Sequence, residues 1–121
     1  MTPARLHEYE AEARQGHAQS SDARVAVPYA RIADFCRRYN IAWLALFGSV
    51  IRDDFTPESD IDVLVDFLPD LPLPGLKYYW DMPNELSEIF GGRKVDLLTP
   101  EELSKYFVQE VLEEAEVIYV A

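Results

Sequence analysis

The stretch Gly48-Ser49-Val50-Ile51-Arg52-Asp53-Asp54-Phe55-Thr56-Pro57-Glu58-Ser59-Asp60-Ile61-Asp62-Val63-Leu64-Val65-Asp66-Phe67 decides the reading of this chain. It opens on a Gly-Ser pair, runs through a ten-residue spacer and reaches Asp60-x-Asp62, where a β-branched apolar run begins. Side chains alternate across a strand, so a strand over residues 60–67 puts Ile61, Val63, Val65 and Phe67 on one face and Asp60, Asp62, Leu64 and Asp66 on the other. The two carboxylates then point the same way at the mouth of a buried strand. Two aligned carboxylates suit magnesium, a hard ion that takes few protein oxygens and fills its octahedron with water and phosphate. Read alone, Asp-x-Asp favours a loop cap at Asp60 and a solvated side chain at Asp62; the neighbouring Gly-Ser pair favours the metal. Gly48 has no Cβ, so a phosphate can approach the backbone closely. Ser49 adds a hydroxyl and a main-chain N–H at a helix start, a natural anion site. By itself, Gly-Ser is no more than a tight turn with a serine cap.

Outward from this stretch, the pattern alternates. Pro28 suits a first helical position, and residues 28–39 carry Tyr29, Ile32, Cys36 and Tyr39 on one stripe. Asn40 stops that helix. Residues 41–47 read as a strand running into Gly48, and residues 49–54 as a short helix. After Asp60 to Phe67 comes a loop with three prolines, residues 68–75. Asp81 is expected to cap a helix burying Leu86, Ile89 and Phe90, with Gly91-Gly92 ending it. Residues 94–98 form a third strand. Thr99-Pro100-Glu101-Glu102 has a capping residue, a proline at the first position and a glutamate three after the cap, and so starts a helix. That helix is expected to turn Leu103, Phe107, Val111 and Leu112 inward. Residues 116–120 close the chain as a strand. The fold class is therefore α/β (α+β), a small mixed sheet with helices packed on one face. Residues 1–26 are polar and form a weakly packed N-terminal arm, with a helix over 3–18 and a linker from Gln19 to Asp22; residues 27–121 form the domain.

Asp96 supplies a third carboxylate. Val95 and Leu97 would face the core, and Asp96 would share the open face of Asp62 if their strands are neighbours. It is then a further metal ligand or the base that takes a proton from an attacking hydroxyl. Alone, it is an ordinary exposed strand residue. His7 and His17 sit in the arm without partners at metal or triad spacing. Tyr78-Tyr79-Trp80 are expected to pack the proline-rich loop onto the core, and Asp66 to be solvated.

Composition bounds the remaining classes. The 121 residues include 49% apolar and 12% aromatic side chains, which is a globular balance for one domain. Eleven basic residues stand against 22 acidic ones, for a net charge of −11, so a long nucleic acid is excluded as a partner. A small anion remains possible where a cation screens it. The single cysteine, Cys36, reads as a buried thiol and fits a reducing cytoplasm. No run approaches the ~20 apolar residues of a membrane span.

Taken together, Phe47-Gly48-Ser49, Arg52, Ser59-Asp60-x-Asp62, the apolar strand and Asp96 within Lys-Val-Asp-Leu-Leu resemble the minimal nucleotidyltransferases of the DNA polymerase β-like superfamily, over residues 28–119. The resemblance implies that Gly48 and Ser49 hold a nucleoside triphosphate. It also implies that Asp60, Asp62 and Asp96 form the catalytic, metal-binding set for magnesium, with two ions expected, and that AMP moves from ATP to a hydroxyl with loss of pyrophosphate. Arg52 would reach a phosphate; read alone, it is a surface arginine. One departure stands out: Asp53-Asp54 occupies a place where members often carry glycine, adding negative charge beside the triphosphate. So short a domain has little chain for a second substrate pocket, so the acceptor is expected to dock from outside. The resemblance implies an antitoxin paired with a HEPN-domain ribonuclease toxin in a hetero-oligomer, placing AMP on a toxin tyrosine. A binding-only antitoxin with a vestigial site and an adenylyltransferase for a small hydroxylated molecule are the alternatives.

Overall fold

The computed structural model describes residues 25–52, 55–103 and 107–121. The expected helix over 3–18, its linker, both histidines and Asp53-Asp54 lie outside them.

Helix α1 spans Tyr29–Arg38, and Pro28 stands one place ahead of it at the N-cap, with φ −80°. Ile32, Phe35 and Cys36 are its buried face. Burial pushes the Cys36 thiol far above its ordinary range, as expected of an inert thiol in apolar surroundings. Strand β1 follows over Ile41–Phe47, β2 over Ile61–Phe67, β3 over Val95–Leu98 and β4 over Glu116–Val120. Helix α2 covers Asp81–Ile89. Asp81 is not its cap: it is the first helical residue, behind Trp80, where its charge still suits the positive end of the helix dipole. The helix ends in a glycine-dependent hook. The Gly92 amide reaches back to the Ser87 carbonyl at 2.8 Å and the Gly91 amide to Glu88 at 3.1 Å, with both glycines at positive φ.

The strands form one mixed sheet in the order β3-β2-β1-β4. β1 runs antiparallel to β2 and β4, whereas β2 and β3 are parallel. α1 and α2 pack on one face over Leu44, Leu46, Ile61, Val63, Val65 and Val95. Each large apolar side chain buried there contributes about 1.5–3 kcal/mol. The opposite face carries Trp43, Ala45 and Leu64, and a third helix, α3 (Val108–Glu114), covers it with Leu112. Helices thus occupy both faces, with the two longer ones on the expected side.

The C-terminal helix differs most from expectation. The capping box closes only a single 3-10 turn, Pro100–Glu102, and Leu103 leaves it in extended backbone (φ −82°, ψ 144°). Helix resumes at Val108, and Phe107, expected inside, is 59% exposed. Phe67, Tyr78 and Tyr79 form a chain of edge-to-face rings. Tyr78 thus packs the loop inward as expected, whereas Tyr79 and Trp80 point to solvent. No helix among the described residues is long and apolar enough to cross a membrane.

Candidate active site

The site grows from the end of β1. Phe47 pairs with Asp62 across the antiparallel ladder, so the chain turns at Gly48 beside that carboxylate. Gly48 has φ +74°, and a Cβ built on it would lie 2.3 Å from Asp62 Oδ2. Backbone conformation therefore calls for glycine, and any side chain there would also have to push the Asp62 carboxylate aside. Gly48–Ile51 makes a single 3-10 turn in which the Arg52 amide donates to the Ser49 carbonyl at 2.9 Å. Arg52 is already extended (φ −125°, ψ 169°), so the helix expected over 49–54 ends at Ile51.

The parallel register of β2 and β3 places Ile61 opposite Val95 and Asp62 opposite Asp96. Asp62 and Asp96 are thus neighbours on adjoining strands, on the face expected for them. Asp62 is half-buried, and its carboxyl is held above the usual carboxylate range by burial first, then by the charges of Asp96 and Asp60, with Arg52 opposing. Asp62 thus feels the charge of both other carboxylates, with Arg52 close enough to moderate it. Asp60 lies at the entry to β2 with Lys94 Nζ 3.7 Å from its Oδ2, a solvent-exposed pair worth little by itself. Arg52 Nη1 lies 3.9 Å from Glu114 Oε2 at the end of α3, another exposed pair.

Among the described residues no three acidic, histidine or cysteine side chains converge into a ready-made cation cage. The donor set of Asp60, Asp62 and Asp96 is nonetheless all carboxylate oxygen, and Asp62 carries a charge penalty that a cation would relieve. Magnesium commonly binds through one or two carboxylates and completes its shell with water and substrate phosphate, so the residues present fit it.

One positioning residue was not anticipated from the sequence. Arg93 Nη1 donates to the carbonyls of Ser59 at 3.1 Å and Thr56 at 3.3 Å, and its guanidinium lies 4.4 Å from the Phe55 ring centroid. Within the same loop the Thr56 amide donates to Ser59 Oγ at 3.0 Å. Arg93 therefore clamps the segment that delivers Asp60, and the Ile61 amide bonds the Lys94 carbonyl at 2.9 Å just beyond it. The available signal was two successive basic residues at the start of β3 in so acidic a chain. Asp66 also differs from expectation. It is half-buried rather than solvated, burial raises its pKa, and it accepts a hydrogen bond from the Phe67 amide at 3.0 Å.

Comparison with known proteins adds four findings. The family model described as "Polymerase beta, Nucleotidyltransferase" matches residues 30–121. A Methanocaldococcus jannaschii protein provisionally named protein adenylyltransferase MJ1379 is 37% identical over 83 residues, covering 69% of this chain and 80% of the relative. Protein adenylyltransferase MntA of Thermococcus cleftensis is 32% identical over 83 residues, covering 69% of this chain and 78% of its own. Among solved structures, a toxin-antitoxin with AMP-PNP superposes with a TM-score of 0.60 over 78% of this chain and 74% of that one, at 22% identity, which is a likeness of fold.

Proposed function

This chain belongs to the polymerase beta nucleotidyltransferase family, and from that premise we propose that it moves AMP from ATP, with magnesium, to a tyrosine hydroxyl of a partner HEPN-domain toxin and so acts as its antitoxin. Gly48 leaves the backbone at the end of β1 open to the triphosphate, and Ser49 offers its hydroxyl and amide to a phosphate oxygen. Arg52 adds a positive charge on the same side. Asp60 and Asp62 would hold magnesium, with Asp96 completing the carboxylate set. Bound there, the ion offsets the negative charge of the phosphates. The acceptor oxygen bonds to the α-phosphorus, the bond from that phosphorus to the bridging oxygen breaks, and pyrophosphate leaves. The hydroxyl proton passes to the Asp96 carboxylate, the exposed carboxylate beside Asp62, or to water. Residues 27–121 act as the catalytic unit, with 1–26 as an arm, in the cytoplasm.

One observation carries this reading: the β2–β3 register sets Asp96 beside Asp62, with Gly48 packed against the same carboxylate. The relatives named as protein adenylyltransferases support a protein as the acceptor. The net charge of −11 suits docking on a basic, RNA-binding partner.

The test is labelled ATP, magnesium and the product of the adjacent gene. Label should appear on a tyrosine of that protein, vanish with a chelator, and vanish in the Asp60→Ala/Asp62→Ala double variant. Absence of transfer, or transfer indifferent to the double variant, sinks the proposal. Neutralisation that survives the double variant without any labelling identifies a binding-only antitoxin instead.

A further inference from the structure

Six large apolar side chains stand exposed among the described residues, and five of them, Leu71, Leu73, Leu76, Tyr79 and Trp80, fall within ten consecutive positions. Scattered apolar residues on a surface are ordinary, but Leu71, Leu73 and Tyr79 also line one cavity together, and apolar surface concentrated in this way marks an interaction site. The patch is also rigidly presented. The Leu68 amide donates to the Asn40 carbonyl at 2.8 Å, and Asn40 Nδ2 donates to the Pro72 carbonyl at 3.3 Å. The Tyr78 hydroxyl sits between the Leu97 carbonyl and the Glu102 carboxylate, donating to one of them. A surface held this way spends little ordering entropy on binding.

Beside the patch opens a cavity of about 690 Å³. Phe67, Leu73 and Tyr79 contribute to its apolar wall, Asp66, Asp70 and Glu101 line it with carboxylates, and among the described residues no lysine, arginine or histidine lines it. None of those three carboxylates is ion-paired with another described residue. The volume falls within the roughly 300–1,000 Å³ of ligand-binding pockets. An apolar cavity with a carboxylate-bearing rim is complementary to an apolar anchor flanked by positive charge. Trp and Tyr, exposed here together, are the residue types that most often dominate protein–protein affinity.

We propose that this surface docks the acceptor protein itself, through a segment that seats an aliphatic or aromatic side chain in the cavity and lysine or arginine on its rim. This inference rests on the reading that a protein is the acceptor. The placement suits the task. Asp66 lies four residues along β2 from Asp62, about 13 Å at roughly 3.3 Å per residue, so docking leaves the carboxylate end of the strand open. A partner anchored at the cavity has only that span to cross to present its hydroxyl.

The experiment measures the affinity of the adjacent-gene product for the Asp60→Ala/Asp62→Ala chain by calorimetry, without nucleotide. It then repeats the measurement after adding Leu76→Glu or, separately, Glu101→Lys. Leu76 is 76% exposed, so its replacement leaves the core intact. Each change is expected to weaken binding at least tenfold. The Glu101→Lys loss should shrink at high salt, and AMP-PNP affinity should be unaltered when either change is made in the otherwise unaltered chain. Affinities within twofold of the parent, or no complex at all, overturn the proposal. So does a homodimer that Leu76→Glu dissociates, because a second copy would then be the occupant. With no nucleotide present, failure of AMP transfer leaves this measurement untouched, so the two readings fail separately.

Discussion

Gly48 is where backbone conformation and chemistry meet in one residue. Any side chain there needs a left-handed backbone and meets Asp62 Oδ2 at 2.3 Å. Gly48→Ala should therefore destabilise the fold by about 1–2 kcal/mol. It should also displace the Asp62 carboxylate, so AMP-PNP binding, followed by calorimetry, should fall well beyond what thermal melts attribute to lost stability. Asp62 makes the complementary case. Its folded-state pKa lies above its unfolded value, chiefly through burial and then through Asp96 and Asp60. The protonated form suits the fold, so the penalty is absent at acid pH and appears as pH rises through the carboxylate range. Asp62→Asn should melt higher than the parent at pH 7, with the advantage vanishing at low pH, while transfer activity is lost. A carboxylate that costs stability where it stands is the expected mark of a residue kept for function. Alternation along β2 and β3 made the shared face of Asp62 and Asp96 legible from the sequence, because a strand assigns faces by counting. Arg93 was not legible, because nothing in a one-dimensional pattern shows that its guanidinium meets two carbonyls and a ring across a loop.

At the scale of elements, the loop between Gly48 and Asp60 stands out, because it must deliver two ends of one site. Arg93 holds its second half through Thr56, Ser59 and Phe55. Arg93→Ala should speed amide hydrogen exchange in residues 55–60. It should lower kcat by roughly tenfold or more through the misplaced Asp60, since small misplacements cost rate steeply. Arg93→Lys should recover little, because an ammonium has neither the fork geometry nor the flat face that stacks on Phe55. The four strands lie within one residue of where β-branched and apolar runs placed them, since such runs bounded by turn residues are a strong constraint. The C-terminal helix was misjudged for a physical reason. The Thr99 amide does donate to the Glu102 carboxylate at 3.0 Å, so the capping signal is real. A cap satisfies the first turn only, and continuation depends on what the next residues bury. Leu103 joins the cluster under the sheet and leaves in extended backbone to do so.

For the whole molecule, the mixed order β3-β2-β1-β4 was only partly readable. Alternating helices and strands implied one sheet, but pairing partners are long-range facts that local patterns do not carry. The negative charge was readable, and it constrains partners more than it constrains fold. The concentration of exposed apolar residues in one loop was not, since the aromatic triplet there is as compatible with burial as with display. The parallel pairing of β2 with β3 bears on the time axis as well. Hairpin-like contact between β1 and β2 is local and forms early, but Asp96 joins Asp62 only after an intervening proline-rich loop and helix have been closed over. Contacts so separated along the chain are the slow ones to form. In a refolding experiment with pulsed hydrogen exchange, β1 and β2 amides should gain protection before those of β3, and nucleotide affinity should return with β3. A chain still being made, or one partly unfolded by heat, would then keep much of its sheet while lacking any capacity for nucleotidyl transfer.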